Sequence, residues 1–125
     1  MIALDTSTII AYLAGDRAAD TDSADEAIEH RSAVLPPVVL TELLSAPNLD
    51  RSGRDTLLGL PLLDVTAGYW ERAGLLRSRL HSRGFKARLA DVLIAQSCLD
   101  HDVGLITRDR DFRHFVRHGG LRIQP

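Results

Sequence analysis

The sequence is poor in the residues that several classes of protein require. One cysteine in 125 residues excludes a disulfide framework and a zinc site built from cysteines. Aromatic residues make up 5% of the chain, so no row of base-stacking side chains is visible. No apolar run approaches the roughly 18 residues of a membrane span, and Asp5 interrupts the start that a signal peptide would need. We therefore expect a soluble, cytoplasmic protein with no membrane partner.

Lysine is scarce, because fourteen of the fifteen basic residues are arginine and the remaining one is Lys86. The charge is also uneven along the chain. Residues 1–68 hold 11 acids and 4 bases, a balance of −7, whereas residues 69–125 hold 6 acids and 11 bases, a balance of +5. A basic half of this kind favours a polyanionic partner. A solvated surface of mixed charge is the alternative that the sequence leaves open.

Short apolar segments alternate with helical patterns along the whole chain. We predict strands at 2–4, 33–35, 62–65, 103–107 and 121–123, with helices at 6–13, 24–30, 38–46, 55–60, 67–82, 88–100 and 109–116. This alternation is typical of βαβ units, in which helices cover both faces of a parallel sheet. The sequence predicts a single α/β domain over residues 1–125, in three layers (α/β/α), with a mostly parallel sheet of four to five strands. In the helix 67–82, one face carries Trp70, Ala73, Leu76 and Leu80, and we expect Trp70 and Tyr69 to pack in the core or on a dimer surface.

Four acidic residues occupy positions that such a fold gives to functional groups or to apolar side chains. Asp5 closes the first strand and Asp109 lies just past the fourth, and functional groups gather at these carboxyl ends. Glu42 and Asp91 interrupt the apolar stripes of two helices, where a carboxylate needs a partner. Carboxylates that converge on one cleft repel one another, and a divalent cation removes that conflict. Ligands that are all oxygen favour Mg²⁺ or Mn²⁺ over zinc.

Each of these acids also has an ordinary structural alternative. Asp5 and Asp109 stand where aspartate commonly caps a helix. Glu42 and Asp91 could each pair with an arginine, although a buried ion pair adds little net stability. The four acids have no shared functional role only if all four of these structural roles apply at the same time.

Four segments resemble, in order and in spacing, the signature blocks of PIN-domain ribonucleases. They are LDTS at 4–7, VLTELL at 39–44, LADVLIA at 89–95 and TRDRDF at 107–112. The resemblance covers essentially the whole chain. More narrowly, the chain resembles the VapC-type toxins of bacterial type II toxin–antitoxin systems. Any one block alone is weak, but the four together are specific.

The resemblance implies an endoribonuclease that depends on Mg²⁺ or Mn²⁺ and hydrolyses RNA phosphodiester bonds. It implies that the catalytic and metal-binding acids are Asp5, Glu42, Asp91 and Asp109. Asp111 is the alternative candidate for the fourth acid, because some family members have asparagine where this chain has Asp109. It also implies two partners, a cognate VapB-type antitoxin and a second copy of the chain in a homodimer. The hydroxyls of Thr6, Ser7 and Thr107 are candidate supports for the carboxylates, or ordinary capping and strand-end groups.

Basic residues flank two of the acids and are candidates for contacts with RNA phosphates. Arg83, Lys86 and Arg88 precede the helix that contains Asp91, and Arg108 and Arg110 stand on either side of Asp109. Such contacts would hold a nucleic acid without reading its bases. The sequence cannot place these side chains on one surface, so a solvated face remains open.

Three other functions compete with the nuclease. A non-catalytic PIN-like module that binds RNA or protein would have no need of four mutually repelling acids. A phosphatase of the haloacid dehalogenase type would show Asp-x-Asp after the first strand, whereas Thr6 and Ser7 follow Asp5. A response-regulator receiver would carry a lysine after a late strand, whereas Lys86 precedes a helix.

Overall fold

The computed structural model describes residues 1–124 and contains a four-stranded parallel sheet in the order β2-β1-β3-β4. The strands are β1 (Ile2–Leu4), β2 (Ala33–Val34), β3 (Gly104–Ile106) and β4 (Ile123–Gln124). The helices are α1 (Thr6–Leu13), α2 (Ala19–Glu29), α3 (Pro37–Leu44), α4 (Arg51–Leu58), α5 (Tyr69–Ser82), α6 (Leu89–His101) and α7 (Arg113–Gly119), with a 3₁₀ helix at Arg110–Phe112. The predicted three-layer α/β/α fold is confirmed. No helix within residues 1–124 is long and apolar enough to cross a membrane.

The register of the two central strands brings distant parts of the chain to one edge of the sheet. Ile2 pairs with Gly104 and Leu4 with Ile106, so β1 and β3 end at the same level. The backbone N–H of Asp5 then donates to the carbonyl of Ile106 at 3.0 Å. The residues that follow the two strands are therefore neighbours in space, although about a hundred positions separate them in the sequence.

The strand predicted at 62–65 is wrong. Only Leu62 pairs, through a single parallel bridge to Leu35. Pro61 has no N–H to donate, and Leu62 and Val65 are 44% and 48% exposed. A segment without a donor at its start, in which only Leu63 is buried, has little reason to extend the sheet.

The two adjacent aromatic residues of α5 differ in burial, because Trp70 is 63% exposed and Tyr69 is buried. The hydroxyl of Tyr69 donates to the backbone oxygen of Leu93 at 2.7 Å, which satisfies its polar end inside the protein. Ala73, Leu76 and Leu80 are buried as predicted. The inward stripe of α5 therefore begins one residue earlier than the pattern indicated.

The core continues to the loop that follows β3. Leu105 and Ile106 are buried in the sheet, and Phe112 and Phe115 pack behind it with ring centroids 5.7 Å apart. Phe112 is fully buried at the end of the 3₁₀ helix. Its ring thus anchors the segment 107–112 to the core.

We expect Phe112→Ala to lower the free energy of unfolding by about 3–5 kcal/mol, since it deletes a buried aromatic ring and leaves a cavity. Urea denaturation checks the value. Leu58→Ala is the matched control, because Leu58 is 54% exposed; it should change the free energy by less than about 0.5 kcal/mol. Equal effects from the two variants would contradict the described packing.

Candidate active site

Asp5 is a buried carboxylate held by two hydroxyl groups. Its residue is 3% exposed, and burial raises the pKa of the carboxyl. Ser7 Oγ donates to Asp5 Oδ2 at 2.6 Å, and Thr107 Oγ1 donates to the same oxygen at 2.7 Å. These bonds lower the pKa and partly offset the effect of burial. Asp5 stands at the N-cap position of α1 but makes no side-chain capping bond there, so capping does not explain it.

Glu42 reaches the same region from the middle of α3. Thr6 Oγ1 donates to Glu42 Oε1 at 2.7 Å, which ties the start of α1 to α3. No arginine or lysine within the described part of the chain forms an ion pair with Glu42. The ion-pair alternative that the sequence left open for this acid is therefore not realised there.

The other three acids affect the pKa of Asp91, which lies in the first turn of α6. Its pKa is raised to about 6, first by burial and then by the negative charges of Asp109, Asp5 and Glu42, while Arg88 lowers it. Carboxylates raise one another's pKa only when they lie close together in a poorly screened place. The fold therefore gathers Asp5, Glu42 and Asp109 around Asp91, and these four acids, from separate parts of the chain, are termed the acidic cleft.

Asp109 and Asp111 differ in their surroundings. Asp109 is partly buried, whereas Asp111 is exposed and is absent from the charges that act on Asp91. Asp109 Oδ1 caps the 3₁₀ helix by accepting from the N–H of Asp111 at 2.9 Å. The N–H of Asp109 in turn donates to Thr107 Oγ1 at 3.0 Å. The capping alternative is thus realised for Asp109, and its side chain still belongs to the acidic group.

The chemistry of the four acids fits a hard divalent cation. All of their donor atoms are oxygens, and the part of the pKa rise of Asp91 that comes from the neighbouring negative charges is what a cation would remove. Within residues 1–124, no three aspartate, glutamate, histidine or cysteine side chains stand close enough to hold one ion as they are.

The basic residues predicted to contact phosphates fall into two groups. Arg108 binds Asp16 and Asp20, and Arg83 donates to His118. In contrast, Lys86, Arg88 and Arg110 are exposed, and the described residues offer their side chains no hydrogen-bond partner. The structure therefore leaves the second group free to contact a ligand.

The loop that carries Lys86 and Arg88 is pinned to α7. The ring of Phe85 stacks between His114 and His118, with centroid distances of 4.5 and 4.6 Å. The pKa of His118 is lowered by burial and by the neighbouring charge of Arg83, which favours the neutral ring that accepts from that arginine. No pattern in the sequence around Phe85 indicates this stack.

The buried contact between Asp20 and Thr8 was also not predicted from the sequence. Thr8 Oγ1 donates to Asp20 Oδ2 at 2.9 Å, and both residues are buried. A signal was present, because Asp20 shares helical spacing with Ala24 and Ala27, both buried. It is the same pattern of an acid in an apolar stripe that singled out Glu42 and Asp91.

The raised pKa of Asp91 predicts how acidity affects the fold. Between 3.8 and about 6 the folded protein keeps a proton that the unfolded chain has lost. The contribution of Asp91 to stability therefore falls as pH rises through that window and stays low above it. We expect Asp91→Asn to be more stable than the wild type near pH 7.5, by about 1–2 kcal/mol after allowance for solvent screening. The two proteins should unfold alike below pH 3.8.

Urea denaturation at both pH values measures this difference. Asp64→Asn is the control, because Asp64 is exposed and its side chain has no hydrogen-bond partner within residues 1–124. Its effect should be the same at both pH values. If Asp91→Asn were the less stable protein near pH 7.5, repulsion at this site would be disproved.

Known proteins can be compared with this fold and cleft. Two solved structures match nearly the full length. One is the crystal structure of VapBC2 from Rickettsia felis bound to a DNA fragment from their promoter, with a TM-score of 0.79, 21% identity and coverage of 99% of this chain and 98% of that one. The other is VapBC-5 from Mycobacterium tuberculosis, with a TM-score of 0.61, 22% identity and coverage of 98% and 94%. At these identities the likeness shows the fold.

Sequence comparison adds the family. The sequence has no significant match among curated proteins. The model of the PIN domain family, however, matches residues 2–117, which is nearly the whole chain and includes the four acids of the cleft. The chain therefore belongs to the PIN domain family.

Proposed function

We propose that the chain is a divalent-metal-dependent endoribonuclease and the toxin of a VapBC-type toxin–antitoxin pair. The observation that carries the proposal is the acidic cleft, in which burial and then the negative charges of Asp109, Asp5 and Glu42 raise the pKa of Asp91 to about 6. Such a cluster is costly for a purely structural protein and useful for holding cations. Proteins of the PIN family are generally nucleases that use divalent metal, which agrees with this cleft.

In this proposal Asp5, Glu42, Asp91 and Asp109 hold Mg²⁺ or Mn²⁺. When bound, a divalent ion makes water a better nucleophile and neutralises charge on the phosphate. The chain's own hydroxyl groups fix the direction of the acids, since Ser7 and Thr107 donate to Asp5 and Thr6 donates to Glu42. Outer partners of this kind commonly tune a metal site.

RNA, in a single strand or a loop, is the proposed substrate. Lys86, Arg88 and Arg110 are exposed and flank the acidic cleft in the sequence, where they would contact phosphates without reading bases. Arg88 lies near enough to Asp91 to lower its pKa. The basic side chains would thus hold the backbone of the RNA beside the acids.

The proposed partners are a VapB-type antitoxin and a second copy of the chain, in the cytoplasm. The names of both structural neighbours describe VapBC complexes, which supports an antitoxin. A groove of about 410 Å³ between α1 and the end of α3 is lined by apolar groups that a partner could cover, among them Ile10, Leu13 and Leu43. The exposed Trp70 and Leu75 on α5 support a contact between copies.

A non-catalytic module that binds RNA or protein remains the second candidate. The observation that favours it is the lack, within residues 1–124, of three potential ligands close enough to share an ion. Direct measurement of metal binding separates the two functions, because a binding module needs no cation in its acidic cleft.

Mn²⁺ should bind the wild-type protein saturably and raise the midpoint of its thermal unfolding, because the ion binds the folded state and relieves repulsion there. We expect Asp91→Asn to weaken both effects, and Asp64→Asn to leave them unchanged. Calorimetric titration of protein free of antitoxin, with a thermal melt, tests this. If calorimetry and a spectroscopic measurement both detected no ion at millimolar concentration, the binding module would become the better explanation.

Removal of an acid should abolish metal-dependent cleavage of RNA. We expect Asp5→Ala and Asp91→Ala to lose more than the roughly 10- to 100-fold typical of an outer-shell partner. Asp109→Asn should fall with them, whereas Asp111→Asn should retain most activity, since Asp111 is exposed and outside the acidic group. Cleavage of structured and unstructured RNAs in Mn²⁺ measures the loss. Wild-type cleavage by Asp91→Ala would refute the assignment, and loss in Asp111→Asn alone would move the fourth acid to Asp111.

A further inference from the structure

The three consecutive residues 107–109, which follow β3, have side chains that contact different partners. Thr107 donates to Asp5, and Asp109 lies among the acids that act on Asp91. Between them, the side chain of Arg108 leaves the cleft and binds Asp16 and Asp20 near the start of α2. One loop therefore joins the acidic cleft to a separate ion-pair cluster, made of Arg108, Asp16 and Asp20.

The geometry of this cluster fixes the direction of the guanidinium. Arg108 Nε and Nη2 donate to the two oxygens of Asp20 at 2.8 and 3.0 Å, and Nη1 donates to Asp16 Oδ2 at 2.9 Å. The Asp20 side chain is 9% exposed and accepts a further bond from Thr8. A two-pronged contact with a buried carboxylate orients both partners, which a single surface ion pair does not do.

The charge of the cluster argues against a phosphate contact at Arg108. One guanidinium faces two carboxylates, so the cluster has a formal charge of −1. Three N–H groups of Arg108 already donate to these acids. An approaching phosphate would meet two negative groups there, whereas Arg110, two residues on, has no partner within residues 1–124 and is exposed.

We propose that Arg108 is a positioning residue, whose ion pairs with Asp20 and Asp16 fix the segment 107–109 so that Thr107 holds Asp5 and Asp109 stays beside Asp91. The same network reaches α1 twice, because Ser7 donates to Asp5 and the adjacent Thr8 donates to Asp20. The effect on metal binding rests on the proposed function. The ordering of the loop does not.

Calorimetric Mn²⁺ titration tests the effect on the site. We expect Arg108→Gln and Asp20→Asn each to lower Mn²⁺ affinity about tenfold, as for other outer partners of a metal site. Arg108→Lys keeps the charge without the fork and should recover only part of the loss. Arg113→Gln is the matched control, because Arg113 is exposed at the start of α7 and has no proposed role; it should leave Mn²⁺ affinity unchanged. Asp16→Asn removes only the exposed partner of Arg108 and is the variant to use if the others fail to fold. Its loss of Mn²⁺ affinity should be smaller but measurable.

Hydrogen exchange of single amides, without metal, tests the loop directly. The N–H groups of Asp109 and Asp111 are bonded to Thr107 Oγ1 and Asp109 Oδ1. Both should lose protection in Arg108→Gln, while the amide of Leu105 in β3 keeps it. A general loss of stability would instead expose all three amides together, and that result would overturn the positioning role.

The salt dependence of RNA binding tests the alternative, in which Arg108 contacts a phosphate. A phosphate contact at Arg108 would make Arg108→Gln lower the salt slope of binding to a single-stranded RNA by about one. If that happened while Mn²⁺ affinity and amide protection stayed unchanged, the proposal would be wrong. If the wild type bound no Mn²⁺, the proposed function would fail, and the exchange data would still decide whether Arg108 orders the loop.

Discussion

Repulsion between carboxylates at one edge of a parallel sheet is the constraint on which the rest of the structure depends. Asp5 is buried, and two hydroxyl groups compensate for the water it has lost. Asp91 responds in another way, by holding its proton up to a pKa of about 6. A fold that gathers such charges gives up stability at neutral pH, and it keeps the cluster only where something else depends on it.

The parallel register is what makes this cluster possible in a small domain. β1 and β3 end side by side, so each can deliver a polar residue to the same edge. α3 and α6 then supply one acid each from faces that are otherwise apolar. Four acids therefore come together from four separate parts of the chain.

Much of this could be predicted from the sequence, because the informative patterns are local. An acid that interrupts an apolar stripe, as Glu42 and Asp91 do, is visible within two helical turns. The partner of Arg108 is not, since Asp20 lies 88 residues away and nothing local joins them. Stacking of Phe85 on α7 likewise depends on how two distant segments meet. The pattern also could not decide which of Tyr69 and Trp70 is buried, because the two adjacent aromatic residues fit the same helical pattern.

The stacked loop on α7 has a further consequence for any ligand that meets Lys86 and Arg88. Because the ring of Phe85 already stacks on two histidine rings of α7, binding need not order this segment, and less conformational entropy is lost. The backbone that carries the two cations is therefore in place before a ligand arrives.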